Sequence, residues 1–106
     1  MGYVYFICEG ASHKLFKIGR TVKHPSGRLR ELQTGNPRKL HVYGWIYTSD
    51  HVELESWFHR HFAARRCAGE WFKVTPRQLR TASNAAYCDH NIEDVELPSL
   101  GCCIFW

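Results

Sequence analysis

Three runs rich in β-branched and aromatic residues fall within the first 48 positions: GYVYFIC at 2–8, LFKIG at 15–19 and LHVYGWIYT at 40–48. Such runs read as strands. The intervening EGASHK carries Gly and Ser and predicts a turn, so the first two runs form a hairpin. RTVKHPSG is a loop, and RLRELQ a short helix that starts near Pro25 or Ser26 and is ended by Gly35 and Pro37.

The second half alternates in the same way. Ser49 and Asp50 offer a cap for the helix DHVELESWFHRHF. At about 100° per residue, Leu54, Phe58 and Phe62 line one face of it, with Trp57 at the edge. That helix is expected to run to about Arg66 and to stop at CAG, with Gly69. EWFKV then reads as a short strand, and TPRQLRTASNAA as a helix with Pro in its first turn. From about Tyr87 the periodicity is lost, which predicts an irregular, acidic, Cys-containing tail over 87–106 behind a domain at 1–86. The order ββαβαβα predicts an α+β fold, a small, mostly antiparallel sheet with helices on it.

Bulk properties narrow the function. A chain of 106 residues that is 44% apolar suits one globular domain. It has no apolar run of about 18 residues to span a membrane, and no basic region ahead of its first apolar stretch, as a secretory signal would require. The five cysteines form an odd, irregular set without a CxxC pair, which argues against a zinc site or disulfide framework and for reduced thiols in the cytoplasm. Charge is unevenly spread: residues 1–80 hold all 14 Lys and Arg against six acids, a net of +8. The remaining 26 hold four acids and no Lys or Arg, a net of −4. A basic body with an acidic tail predicts a polyanionic partner such as nucleic acid. Arg20, Lys23, Arg38, Lys39, Arg65 and Arg66 are the generic candidates for contact with its phosphates.

One residue breaks the apolar stripe. Glu55 projects beside Phe62, flanked along the same line by His51 and His59, so it is either half-solvated at a core boundary or placed for chemistry. A lone carboxylate suffices for Mg²⁺, which keeps several waters and takes its other oxygens from phosphate. Together with His51 and His59, Glu55 also forms a candidate transition-metal set. Arg28 lies at the margin of its own helix and offers a planar fork for a phosphate.

These residues, read together, resemble the GIY-YIG nuclease superfamily: YVYF at 3–6, KIGRT at 17–21, RLREL at 28–32, Glu55 on its helix and GEWF at 69–72. The likeness covers roughly residues 2–80 and is closest to the short branch of phage-type DNA-binding domains, also seen in eukaryotic meiotically up-regulated proteins. It implies a three-stranded antiparallel sheet flanked by helices that hydrolyses DNA with one divalent ion, Mg²⁺ or Mn²⁺. Tyr5 matches the tyrosine of the first motif, Gly19 the last glycine of the second, Arg28 the helical arginine and Glu55 the metal ligand. Arg20 follows the second motif where a basic residue is often found, and His59 and GEWF are features of the phage-type branch. Lys17 replaces the second motif's tyrosine, where it would serve as a phosphate contact or a base, and RCAGEW stands where a late asparagine is expected. Glu70, Trp71 and Phe72 are expected to fix a strand against the core.

Two rival readings follow from the same residues. One is a catalytically silent DNA-binding module that uses Arg28, Arg20 and Lys17 for phosphate alone. The other is a phage-type protein-interaction module. A domain of this size also leaves room for a homodimer or a larger protein partner, and the compartment is cytoplasmic, or nuclear in a eukaryote.

Overall fold

Val4, Phe6 and Cys8 of β1 (Gly2–Glu9) are buried on one face of a sheet, and Tyr5 and Ile7 on the other. A strand covered on both faces needs an apolar residue at almost every position, which is why GYVYFIC reads as a continuous run. The computed structural model describes residues 1–9, 14–90 and 92–97. Positions 10–13 of the turn expected over EGASHK (9–14), and Cys102 and Cys103 in the expected tail, lie outside those residues.

β1 pairs with β2 (Leu15–Thr21) on one side and with β3 (Leu40–Thr48) on the other. Between β2 and β3 the chain makes helix α1 (Pro25–Thr34), with Pro25 in its first turn and the ring of His24 accepting the Ser26 N–H. α1 lays Leu29 and Leu32 over Tyr5, Ile7 and Leu40. On the opposite face α2 (His51–His61) buries Leu54 and Phe58, and α3 (Pro76–Asp89) buries Leu79, Ala82 and Ala86. Phe6 and Phe58 meet edge to face at 5.3 Å. Each such fully buried side chain contributes about 1.5–3 kcal/mol, so this face carries most of the stability. α3 starts in a capping box between Thr75 and Gln78. No helix among the described residues is long and apolar enough to cross a membrane.

The expectation of a small three-stranded sheet is corrected. Among the described residues the sheet has six strands in the order β4-β5-β2-β1-β3-β6, every pairing antiparallel, and with three helices the fold is α+β overall. Two short strands extend one edge. α2 ends at His61 rather than Arg66, a 3₁₀ turn follows at Ala63–Arg65, and the expected helix stop is strand β4 (Arg66–Ala68). Gly69, at a φ of 56°, reverses the chain into β5 (Trp71–Lys73); that left-handed backbone suits glycine. Asp50 stands at the N-cap of α2 but makes no side-chain cap bond. It lies 3.6 Å from His90 instead.

The other edge gains β6 (Ile92–Glu96), which corrects the reading of the chain after Tyr87 as irregular. β6 pairs with β3, and the register shifts between Tyr47 and Thr48, so that Asp94 faces Tyr47 and Ile92 faces Thr48. The shift puts half-buried Ile92 and Val95 three apart. That spacing hides the strand from a search for alternation. Gly44 lets the added strand approach, because a Cβ there would strike the Glu96 carbonyl and the Leu97 side chain. Gly44→Ala is therefore expected to lower stability by about 1–3 kcal/mol, the usual cost of overpacking. Urea unfolding checks it, and an unchanged midpoint would mean that β6 does not dock there.

Candidate active site

Tyr5 and Gly19 face each other across β1 and β2, so both lie on the α1 side of the sheet. The Tyr5 ring fills the space above Gly19, where a Cβ would collide with the phenol. Arg28, reaching in from α1, donates from Nε to the Tyr5 hydroxyl at 3.4 Å and from Nη1 to Glu31 at 2.9 Å. Burial pushes the Tyr5 pKa up; the Arg28 hydrogen bond and charge pull it down, while the charges of Glu70 and Glu55 push it up. The net shift is upward. Both carboxylates are thus within electrostatic reach of the phenol, which keeps its proton at neutral pH.

Alternation sends Ile18 and Arg20 to the other side of β2, where α2 lies. Arg20 Nη1 donates to Glu55 Oε1 at 2.7 Å; the arginine side chain is 47% exposed and the glutamate 7%. Glu55 is therefore not half-solvated: it is held at the core boundary by one partly exposed guanidinium. One turn on, His59 Nε2 lies 2.8 Å from the Ile18 carbonyl, and its Nδ1 lies 3.2 Å from Arg66 Nη2. Those partners fix the tautomer, with the proton on Nε2 and Nδ1 accepting from the arginine.

The β4–β5 turn completes the group. β5 pairs with β2 only at Leu15–Lys17. The next edge groups, on Ile18, go to side pieces instead: its N–H donates to the Glu70 carbonyl at 3.0 Å, and its carbonyl accepts from His59. The Glu70 carboxylate receives Lys17 Nζ at 3.2 Å, and the same ammonium lies 5.9 Å from the Trp71 ring centre. Ligand atoms of Glu55, His59 and Glu70 lie within 4.8 Å of one another. The site thus straddles the uncovered stretch of β2, with Tyr5 and Arg28 on one side and Glu55, Arg20 and His59 on the other.

Tyr5, Lys17, Arg20, Arg28, Glu55 and His59 are all brought to this edge. Arg66 reaches it through His59, whereas Arg65 is exposed beyond it. Lys23 lines a cleft beside α1 together with Arg28 and Arg30. Arg38 pairs with Glu9 at 3.1 Å, away from the site, and Lys39 is exposed next to it. His51 does not join Glu55; its ring packs on Gly2. Glu70, read from sequence as part of a strand that fixes the core, adds a second carboxylate instead. Only the Gly69 turn, with Trp71 set opposite Lys17, brings it there.

Compared with models of protein families, residues 2–86 match the T5orf172 domain. The chain belongs to the T5orf172 domain family. Neither the comparison with curated proteins nor that with solved structures returned a match. The matched span of this T5orf172 domain contains every residue of the site, from Tyr5 to Glu70, and ends inside α3.

The burial of Tyr5 has a spectroscopic consequence. The tyrosinate absorbance of Tyr5, isolated by difference against Tyr5→Phe, is expected to titrate above the ordinary phenol value of 10.0. In Arg28→Gln the midpoint should rise further, since the guanidinium favours the anion. A midpoint at or below the ordinary value would contradict the buried phenol.

Proposed function

We propose that this T5orf172 domain is a metal-dependent DNA endonuclease of the GIY-YIG type. The observation that supports it is the convergence of a phenol, a guanidinium and a buried carboxylate on one strand edge. Hydrolysing a phosphodiester requires an ordered water, neutralisation of charge on the phosphoryl oxygens and help for the leaving oxygen.

The side chains fit a divalent ion. Glu55 and Glu70 offer carboxylate oxygens and His59 an imidazole nitrogen, their ligand atoms within 4.8 Å of one another. Carboxylate oxygens suit Mg²⁺ or Mn²⁺, whereas an imidazole donor would favour a later transition metal. Because both His59 nitrogens already have partners, the two carboxylates are the proposed ligands and His59 is a positioning residue. Once bound, the ion supplies Lewis-acid activation of a water and of the phosphoryl oxygen.

The remaining steps belong to the chain's own groups. Arg28 Nη2 makes no bond among the described residues, so it is the donor for a phosphoryl oxygen. Tyr5 keeps its proton and accepts from Arg28, so it acts as a donor that orders water or the phosphate, rather than as a base. Arg20 and Lys17 sit on the two carboxylates and would turn to the same phosphate once an ion takes their place there. Lys23, Arg38, Lys39, Arg65 and Arg66 are proposed as contacts to the DNA backbone.

A second reading has its own support. Arg20 on Glu55 and Lys17 on Glu70 leave both carboxylates neutralised by the protein itself, as a DNA-binding module without catalysis would have them. Nicking of supercoiled plasmid with Mn²⁺, and with EDTA in its place, separates the two. Glu55→Gln is expected to slow nicking at least about a hundredfold, the scale of losing one electrostatic element of a transition-state site, while DNA affinity is retained. Nicking at the wild-type rate by purified Glu55→Gln would sink the endonuclease. Metal-independent DNA binding by a wild-type protein that never nicks would establish the second reading.

A further inference from the structure

The acids of this chain are distributed selectively among its cations. Lys17, Arg20, Arg28, Arg38 and Arg60 each have a carboxylate partner. Eight exposed cations have no ion-pair partner among the described residues: Lys23, Arg30 and Lys39 lie apart from one another or beside α1, whereas Lys14, Arg65, Arg66, Lys73 and Arg77 form one group. These five come from four separate places: the start of β2, the 3₁₀ turn with β4, β5 and the first turn of α3.

The fold gathers them. Leu15 pairs with Lys73 across β2 and β5, which sets Lys14 beside Lys73. Three clefts of about 480, 510 and 310 Å³ share Arg65 as a common wall. The first adds Lys14 and Lys73, the second Arg66 and Lys73, the third Arg77. Among the described residues no Asp or Glu lines any of them. Arg66 closes the distance to the site, since it donates to His59 while its guanidinium lies 5.2 Å from the Phe72 ring centre.

Five like charges held side by side without counter-charges repel one another, and a polyanion relieves that repulsion. We infer that this groove is the track along which the phosphodiester backbone of a nucleic acid enters or leaves the β2 edge, Arg65 being its centre and Arg66 its link to the site. The inference rests on the DNA reading above and adds a direction to it: the nucleic acid crosses β4, β5 and the start of α3, not the β6 edge, where Glu93, Asp94 and Glu96 are exposed. The longest dimension of the molecule is 37 Å, about one turn of duplex, so a duplex of about 20 base pairs provides a full site.

The experiment measures fluorescence anisotropy of such a labelled duplex in EDTA, over a range of salt concentrations. Each phosphate contact contributes about 0.9 to the slope of log K against log salt. Arg65→Gln/Lys73→Gln is expected to lower that slope by about 2 and to weaken binding about tenfold at low salt. Arg77→Gln, on a different element, should lower the slope by about 1. Arg60→Gln, whose side chain is paired with Glu53, should change neither slope nor affinity. Equal losses in Arg60→Gln and Arg77→Gln would show that only net charge matters and would overturn the groove. Wild-type slope and affinity in the double variant would overturn it as well, leaving the nuclease site standing. Failure of the wild-type protein to bind the duplex at all would instead remove the DNA reading on which the groove depends.

Discussion

The space above Gly19 is occupied by the ring of Tyr5, and most of the site follows from that exchange of a side chain for a neighbour's. A phenol brought up from the middle of a strand buried on both faces would ordinarily end in the core. Here the missing Cβ on the paired strand lets it lie across β2, with its hydroxyl at the edge where Arg28 meets it. The same stretch of β2 is uncovered by β5, so side chains from both faces of the sheet approach one another around a single strand. A bulkier residue at 19 would push the phenol off that edge and separate it from the groups on the α2 side.

Charge is arranged around the gap in opposed pairs. Glu55 is almost fully removed from water, and a carboxylate so placed requires a partner; Arg20 supplies it at 2.7 Å. Lys17 does the same for the more exposed Glu70. The site is thus neutralised by the protein's own side chains. On the proposed reading, a phosphate would draw on the two cations and a divalent ion on the two carboxylates, so each would weaken the pairing that opposes the other. Cation and phosphate would then bind with positive coupling, because the ion pairs broken by the first no longer have to be broken by the second.

How far the sequence discloses this depends on the range of the interactions. β1, β2, β3 and the three helices announce themselves through local patterns: continuous apolar runs, Pro25 and Pro76 in first turns, the Leu54–Phe58–Phe62 stripe. The position of Glu55 beside that stripe is legible for the same reason. Its partner is not, because Arg20 lies 35 positions away and meets it only through the packing of α2 on β2. β6 is hidden by the register shift in its pairing with β3, which takes Ile92 and Val95 out of strict alternation, and β4 by its brevity and complete exposure. A search by periodicity carries the helix on to about Arg66, since nothing local tells it that α2 is already capped at Phe62.

The β4–β5 hairpin therefore contributes more than two short strands. It is the element that carries Glu70 to His59 and Glu55, and it is also the floor on which Arg66 and Lys73 are displayed. A single left-handed glycine sets both, since Gly69 determines where Glu70 leaves the turn and how β5 registers on β2. One face of that hairpin gathers carboxylates, while its outer surface is lined by cations without acids. On the proposed reading, a polyanion attracted to the outer surface would be led by Arg66 toward carboxylates that Arg20 and Lys17 already neutralise, so that it meets no net repulsion until it draws those two cations away. On that reading binding would have a weaker requirement than chemistry, since the approach needs only the exposed cations whereas the chemistry also needs the carboxylates freed for an ion. DNA affinity and cleavage would then be separable by substitution.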